Sequence, residues 1–383
     1  MTDNTSTPAD ATAVMTEPDL EAPRAAVDDG RGGDLLRLEK TRTPQLDGAV
    51  DAWQVAYVSS DSYDEPIAAS GTVLAPDNAG PGTPLLVYCP NFHGLGGPCA
   101  PSHLLATGQE PEADRIAAAL ARGWAVAVPD GEGLGIDGAG PHTFLAWRAA
   151  GHVTLDLARA ATRLPDIDLG EAPIVICGYA DGGRAATSAA ALCPAYAPEL
   201  DLRGVAAGAV VADPGTLVPW LAEGTWSMLG LAGLVGLSHA YRHLPLRHVL
   251  TEDGRRVADA AETATAAMLL DQYRRPLAHW CDRPDPWRDP LWRFVFAREA
   301  TGLTGPQVPV HLYHGRYDTL VPVTHARRLY ADYQALHVDV QWRDYPTGHF
   351  GAAAAGIDDA LDFLDAVLSG AHPIAPDLHA TQE

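Results

Sequence analysis

Residues 174–186 read IVICGYADGGRAA and predict a short buried strand, a tight turn and the beginning of a helix. Gly178 and Gly182 stand two residues on either side of Ala180. This is the spacing of a nucleophile elbow, in which the central residue takes a strained backbone conformation and only glycine fits at the flanks. The serine expected at the centre is absent, and an alanine cannot attack a carbonyl carbon. The motif therefore predicts a fold but not the acyl-enzyme chemistry that usually accompanies it.

Strand and helix patterns alternate on both sides of this motif. Two strands at residues 54–58 and 67–74 are expected to open a mixed sheet as antiparallel neighbours. Helices that alternate with continuous apolar strands then indicate a mostly parallel sheet with right-handed crossovers. We predict an α/β fold of the α/β-hydrolase type, with a core at residues 46–212 and 308–370 and a tail at residues 371–383.

The segment 213–307 interrupts this alternation and is too long for an ordinary loop. It is rich in tryptophan, and we predict a helical cap over the carboxyl edge of the sheet. The cap would line a pocket for a hydrophobic small-molecule substrate, although about half of its aromatic residues are expected only to pack the cap's own core. The predicted pocket residues are Phe92, Tyr179, Trp220, Trp226 and Leu229.

Two further residues follow predicted strand ends in the chain order that an elbow requires. Asp318 comes just after the strand at residues 308–314, and His349 follows the last strand, 338–345, by a short loop. Nucleophile position, acid and histidine is the order used by α/β-hydrolases. We therefore predict a catalytic site formed by the Ala180 position, Asp318 and His349.

A glycine-rich loop at residues 91–97 follows the apolar run 85–89. Such a loop, at the carboxyl end of a central strand, can direct backbone N–H groups toward a developing oxyanion. A plain flexible connection is the alternative. The elbow predicted for the neighbouring strand favours the oxyanion role.

The composition of the chain argues against several classes of binding partner. The formal net charge of −23 disfavours binding to nucleic acid and to anionic membranes. The longest apolar stretch, residues 228–237, is about half the length of a membrane span, so no integral membrane association is expected. Five cysteines lack the paired spacing of a zinc site, and we expect no metal.

Residues 1–45 are rich in threonine, aspartate, proline and alanine. We predict a disordered acidic arm, because the segment has neither the apolar core of a secretion signal nor the acid-poor composition of a transit peptide. A cytoplasmic protein is the expectation that follows.

Taken together, these motifs resemble the secretory lipase family, of the lipase A type, over residues 54–368. Further matching segments are CAPS at 99–102, PDGEGLG at 129–135, YAPEL at 196–200 and YHGRYD at 313–318. The resemblance implies a capped α/β-hydrolase that cleaves lipid and other hydrophobic esters with a Ser, Asp, His triad and no cofactor.

The resemblance also implies roles for individual residues. Asp318 and His349 match the acid and the base of the family. Cys99 and Cys281 fall where the family often has a disulfide between the cap and the sheet. The nucleophile and the secretion signal do not match. The oxyanion hole is matched by Gly94 or its neighbour His93 and by the N–H of Asp181.

Three hypotheses remain open at this point. In the first, His349 and Asp318 act as a general base beside an oxyanion hole, giving non-covalent hydrolysis, cyclisation, elimination or isomerisation. In the second, an ordinary esterase or lipase carries an engineered Ser-to-Ala change at position 180. In the third, the chain is a pseudo-hydrolase that binds a hydrophobic ligand without turnover.

Overall fold

The computed structural model describes residues 26–46 and 50–372. In this part of the chain nine strands form one sheet, in the order β1-β2-β3-β5-β4-β6-β7-β8-β9. The first three strands and the β3–β5 pair are antiparallel, and all other neighbours are parallel. The strands are β1 Leu35–Lys40, β2 Val50–Ser60, β3 Pro66–Pro76, β4 Leu85–Cys89, β5 Ala125–Pro129, β6 Ile174–Tyr179, β7 Leu202–Gly208, β8 Val310–Gly315 and β9 Val340–Tyr345.

Helices cover both faces of this sheet. Leu85 and Val87 pack in one apolar core, and Leu86 and Tyr88 pack in another. Successive side chains of a strand point to opposite faces, so the central strands are buried on both sides, which explains their unbroken apolar sequences. The predicted α/β-hydrolase type of fold is confirmed. The helices are Pro101–Thr107, Ala113–Leu120, Trp147–Thr162, Asp181–Tyr196, Pro214–Ala222, Ser227–Ala240, Leu246–Val249, Glu252–Ala261, Ala266–Gln272, Pro290–Arg298, Val323–Ala335, His349–Ala355 and Ile357–Leu368.

The amino-terminal segment differs from the prediction. β1, Leu35–Lys40, lies inside the stretch expected to be disordered and pairs antiparallel with β2. An edge strand of this kind is stabilised by its partner more than by its own sequence, which is why composition alone did not indicate it. Residues 26–34 and 41–45 of the predicted arm are also described, whereas residues 1–25 and nearly all of the predicted tail, from residue 373, lie outside the described residues.

The segment between β7 and β8 forms a helical layer with its own apolar core. Its central helix is Ser227–Ala240, whose glycines recur every three residues at positions 230, 233 and 236. A Cβ atom added at Gly236 would lie 2.5 Å from the backbone nitrogen of Phe144, so the helix lies directly on the backbone of that segment. Among the described helices, none is long and apolar enough to cross a membrane.

This contact predicts opposite effects for two alanine substitutions in one helix. Gly236→Ala should destabilise the fold by about 2 kcal/mol, because the clashing atoms belong to the backbone and the helix must shift. Gly230→Ala should be neutral or stabilising by up to about 1 kcal/mol, because the added Cβ meets its nearest atom at 3.4 Å and alanine favours the helix. Urea unfolding of both variants checks this, and equal effects would contradict the packing described.

Strand β8 carries a buried histidine that has no hydrogen-bond partner in the described part of the chain. His311 is 5% exposed, and neither of its ring nitrogens has a hydrogen-bond partner among the described residues. Burial lowers the pKa of His311 to about 4. The unfolded chain therefore binds a proton at this position at a higher pH than the folded chain, so stability is lost as pH falls from about 6.5 through 4.

His311→Phe should remove this dependence on pH, because its neighbours Tyr313 and Phe363 are aromatic and phenylalanine cannot titrate. Relative to the parent, the variant should gain roughly 2 kcal/mol of unfolding free energy between pH 8 and pH 5. Urea titrations at the two values measure the gain. The control is Leu336→Phe at an exposed position, which involves no titratable group and should give the same difference from the parent at both pH values.

Candidate active site

The turn after β6 holds a residue in a strained conformation. Ala180 has φ 52° and ψ −108°, a region that costs a non-glycine residue on the order of 1–3 kcal/mol. Both flanking glycines are required by contacts. A Cβ at Gly178 would lie 2.2 Å from the carbonyl oxygen of Gly182, and one at Gly182 would lie 1.9 Å from that of Cys89. The turn is therefore compressed between β4 and the helix Asp181–Tyr196, with Ala180 at its apex.

An acid and a histidine meet beside this turn. Nδ1 of His349 lies 2.7 Å from Oδ2 of Asp318, and both residues are buried. The other carboxylate oxygen, Oδ1, accepts the backbone N–H groups of Leu320 at 2.8 Å and Val321 at 2.9 Å. The loop after β8 thus fixes the carboxylate, and the carboxylate fixes the imidazole so that Nε2 is its available nitrogen.

A second histidine completes the environment of the acid. Nε2 of His314 donates to the backbone oxygen of Val321 at 2.8 Å and lies 3.4 Å from Oδ2 of Asp318. Burial alone would raise the pKa of the Asp318 carboxyl, but hydrogen bonds from His314 and His349 hold it well below its usual range. The acid is therefore a fixed anion at neutral pH.

Ala180 and His349 border a cavity of about 120 Å³ beneath the cap. Its wall is mainly apolar, and Asn91, Asp181 and His349 are its polar members. The apolar lining residues are Phe92, Phe144, Val211, Leu217, Leu221, Trp226, Leu229, Ala266, Leu270, Leu320, Val321 and Phe350.

Asp181 is the first residue of the helix that follows the turn, and one of its carboxylate oxygens forms an ion pair. Its Oδ1 accepts Nη2 of Arg184 at 2.6 Å and Nε at 3.0 Å, and the arginine is 1% exposed. Oδ2 lies 3.5 Å from Nε2 of His142. Burial would raise the pKa of Asp181, but the charge of Arg184 and the contact with His142 lower it to about 2. A paired carboxylate thus lies at the cavity next to Ala180.

The family model described as "Secretory lipase" matches residues 100–375. The chain belongs to the secretory lipase family. It is 29% identical over 326 residues to "Secreted triacylglycerol lipase LIP5" of Malassezia furfur, covering 79% of this chain and 82% of that protein. It is 33% identical over 319 residues to "Probable inactive lipase MT1628" of Mycobacterium tuberculosis, covering 78% and 70% of the two chains.

A solved structure of Candida antarctica lipase A in its closed state has the same fold as this secretory lipase family member. The TM-score is 0.85 at 20% sequence identity, with 92% of this chain and 85% of that chain covered.

The expectation of a cytoplasmic protein is wrong on these comparisons, because the family is named secretory and its relatives include proteins named as secreted. Composition of the amino-terminal segment misled the prediction.

The structure separates the residues predicted for the oxyanion hole. Asp181 borders the cavity, whereas His93 and Gly94 do not. Gly94 forms a bridge with Thr265 of the cap, and Nε2 of His93 lies 3.0 Å from Oε1 of Glu110. The loop instead presents Asn91 and Phe92 to the cavity. The oxyanion role of the Asp181 N–H stays a prediction.

Two buried acids hold this loop. Oε2 of Glu112 accepts the backbone N–H of Asn91 at 2.8 Å, and Arg115 binds its other oxygen. Glu110 binds His93, whose pKa is lowered by burial but raised more by its contacts with that carboxylate, with a net rise. His93, Glu110 and Glu112 bring ligand atoms within 4.8 Å of one another, as a metal site requires. Both oxygens of Glu112 already have partners, so we describe an ion-pair network, and the expected absence of a metal stays a prediction.

The predicted pocket residues divide into two groups. Phe92, Trp226 and Leu229 line the cavity. Tyr179 lies beneath it and donates its hydroxyl to the backbone oxygen of His349 at 2.6 Å. Trp220 is 52% exposed and is not among the lining residues. Of the other cap tryptophans, Trp287 and Trp292 pack in the cap core, and Trp280 packs against it partly buried. No pattern in the sequence distinguished the lining aromatics from the packing ones.

All five cysteines are free, buried thiols, including Cys99 and Cys281. The Cys99 thiol lies 3.8 Å from the backbone oxygen of Ala264, and Cys281 packs in the cap core. The disulfide implied by the family resemblance is therefore not formed in this structure.

The buried pair beside the cavity leads to a stability prediction. Arg184→Met should cost about 3–5 kcal/mol, because Asp181 is left as a buried charge without its main partner. The double variant Asp181→Asn with Arg184→Met should recover more than 1 kcal/mol of that loss, because no uncompensated charge remains. A double-mutant cycle by urea unfolding at pH 7 measures the coupling. A double variant no more stable than Arg184→Met would refute this account.

Proposed function

We propose that this protein acts on a hydrophobic ester or carbonyl compound without an acyl-enzyme intermediate, with His349 as general base. The observation that carries the proposal is the buried 2.7 Å contact between His349 and Asp318 at the edge of an apolar cavity. In this proposal Ala180 occupies the nucleophile position. Nε2 of His349 is then available to a substrate or to a water molecule.

The chemistry follows from this arrangement. Asp318 keeps the proton of His349 on Nδ1, so Nε2 can accept one. The proton would come from a carbon next to the substrate carbonyl or from a water that attacks an ester. The Asp181 N–H, at the first turn of a helix, would stabilise negative charge on the substrate oxygen. Isomerisation, elimination, cyclisation and non-covalent hydrolysis all fit these steps.

Two further observations support retention of a working site. The strained conformation at Ala180 persists although no hydroxyl needs to be presented there. The carboxylate of Asp318 keeps a complete set of donors. A protein that only binds a ligand has no need of this acid and histidine pair. One relative is named a probable inactive lipase, and the proposed lack of an acyl-enzyme route in this chain agrees with that name.

We also propose an extracellular location, as the names of the family and of its relatives indicate. Free thiols are compatible with that environment here. Burial raises the pKa of Cys99 to about 11 and that of Cys281 to about 12. The thiolate is the reactive form, so these cysteines would resist oxidation.

The test compares turnover of small esters and enolisable ketones by the parent and by His349→Gln. Loss of the base should lower the rate by roughly 10²–10⁴-fold. The control variant is His248→Gln, at an exposed position, which should leave turnover unchanged. Equal rates for the parent and His349→Gln on every compound would refute the proposal and favour a binding protein.

A second variant separates the covalent and non-covalent routes. Ala180→Ser should react with a fluorophosphonate probe and show a burst of product with p-nitrophenyl esters, because the hydroxyl would stand beside Nε2 of His349. The parent should remain unlabelled while it retains its own turnover. A parent without turnover beside an efficient Ala180→Ser esterase would instead indicate a substituted ordinary lipase.

A further inference from the structure

The side chains around the cavity beside Ala180 provide no hydroxyl nucleophile. Of the described residues that line this cavity, none carries a hydroxyl, thiol or amino group. Asp181 is the one acid among them, and its carboxylate is held in an ion pair with the buried Arg184 side chain at 2.6 Å. A carboxylate held in this way is not activated for attack. An oxygen that attacks an ester carbonyl must therefore come from the contents of the cavity.

The other two groups that addition to a carbonyl requires are present. Nδ1 of His349 is held by Asp318 at 2.7 Å, so Nε2 can accept a proton from a hydroxyl group. Within residues 26–46 and 50–372, the N–H of Asp181 forms no hydrogen bond with another backbone group. It lies at the start of a helix, where negative charge is stabilised. The site therefore has a base and an oxyanion donor and needs an attacking oxygen.

That oxygen can belong to water or to a hydroxyl group of the substrate itself. Water has access along Phe350, which lines the cavity and is 63% exposed. A hydroxyl tethered to the ester is nevertheless favoured, because well-oriented intramolecular groups react as if present at about 10⁵–10⁸ M, far above the concentration of water. The apolar wall adds to this preference, because it binds the hydrocarbon chain that joins the two groups.

We propose that this protein takes hydrophobic esters that carry their own hydroxyl group and closes them into lactones. The inference rests on the proposed function for the role of His349. The side chain of Ala180 ends at Cβ, so the substrate hydroxyl can take the place that a serine oxygen would have beside Nε2. The substrate class thus follows from the residue at position 180 and does not depend on the length of the acyl chain.

The reaction balances without a cofactor or a second substrate. The hydroxyl oxygen bonds to the ester carbonyl carbon, its proton passes to Nε2 of His349, and the carbonyl oxygen becomes an oxyanion beside the Asp181 N–H. The bond between the carbonyl carbon and the alkoxy oxygen then breaks, and the alkoxy group leaves as an alcohol with the proton from Nε2. The products are one lactone and one alcohol, and His349 returns to its starting state.

The test compares two esters that differ only at the hydroxyl group, ethyl 5-hydroxydecanoate and ethyl 5-methoxydecanoate. The full-length parent should convert the first into δ-decalactone and ethanol roughly 10²-fold or more faster than it turns over the second, because a methoxy group cannot attack. Reactions in ¹⁸O-labelled water, extracted at neutral pH and analysed by mass spectrometry, identify the attacking oxygen. After subtraction of the reaction in buffer alone, the lactone should contain no label.

Variants at two positions identify the groups that act. His349→Gln should lower the rate of lactone formation by roughly 10²–10⁴-fold, and His248→Gln, at an exposed position, should leave it unchanged. Ala180→Ser should turn over both esters at similar rates, because its hydroxyl can attack either carbonyl. If Ala180→Ser does not fold, the comparison of the two esters on the parent still decides the question.

The lactone inference and the proposed function fail separately in these experiments. Similar turnover of both esters to labelled acids, lost in His349→Gln, would overturn the inference and keep the proposed function with water as the nucleophile. Turnover of enolisable ketones that depends on His349, with neither ester converted, would have the same meaning. Lactone formation that His349→Gln leaves unchanged would overturn both.

Discussion

The fold around the site depends on a steric constraint at the end of β6. The backbone of Gly182 lies so close to the carbonyl oxygen of Cys89 that a methyl group would reach 1.9 Å from it. This contact fixes the start of the helix Asp181–Tyr196 against the end of β4. The strained apex at Ala180 and the first N–H of the helix are then placed together at one point of the sheet edge. The cavity is built on that point.

Electrostatics at the site follow from how its two buried acids are compensated. Asp318 is held by backbone N–H groups and two histidines, and Asp181 is held mainly by Arg184. Both carboxyl groups therefore have lowered pKa values in spite of burial. The partners within four residues, namely the backbone N–H groups of Leu320 and Val321 for Asp318 and the Arg184 side chain for Asp181, position both charges as soon as these turns form. Such preorganisation does not depend on a hydroxyl at position 180.

The parts of the fold that could be predicted are those whose signal is local. The unbroken apolar runs of β4 and β6 predicted the sheet, and the glycine spacing around Ala180 predicted its turn. The ends of the predicted strands indicated Asp318 and His349 as candidate site residues. The exact ends of helices are harder to predict, because they depend on backbone conformations that the sequence does not reveal. Leu145, for example, has φ 73°, a left-handed conformation that a helix cannot contain, so the helix Trp147–Thr162 begins only after it.

The orientation of the loop after β4 could not be predicted from the sequence of the loop itself. Whether Asn91 or Gly94 borders the cavity is decided by Glu110 and Glu112, which are distant in the chain and hold the loop from behind. A glycine-rich composition indicates that such a loop can adopt several conformations, but it does not determine which loop residue borders the cavity. The two glutamates lie between the helices Pro101–Thr107 and Ala113–Leu120 and carry no motif of their own.

The alanine at position 180 changes what the strained geometry of the turn can do. With a serine, Nε2 of the histidine would be occupied by the hydroxyl, and the substrate would meet an oxygen nucleophile first. With alanine, the same nitrogen meets the contents of the cavity directly. An apolar wall favours a substrate over bulk water at that nitrogen, and in a low-dielectric space a base held by a fixed carboxylate accepts a proton without solvent having to reorganise. The side chain at position 180 and the apolar wall of the cavity thus both favour the proposed proton transfer from a hydrophobic substrate.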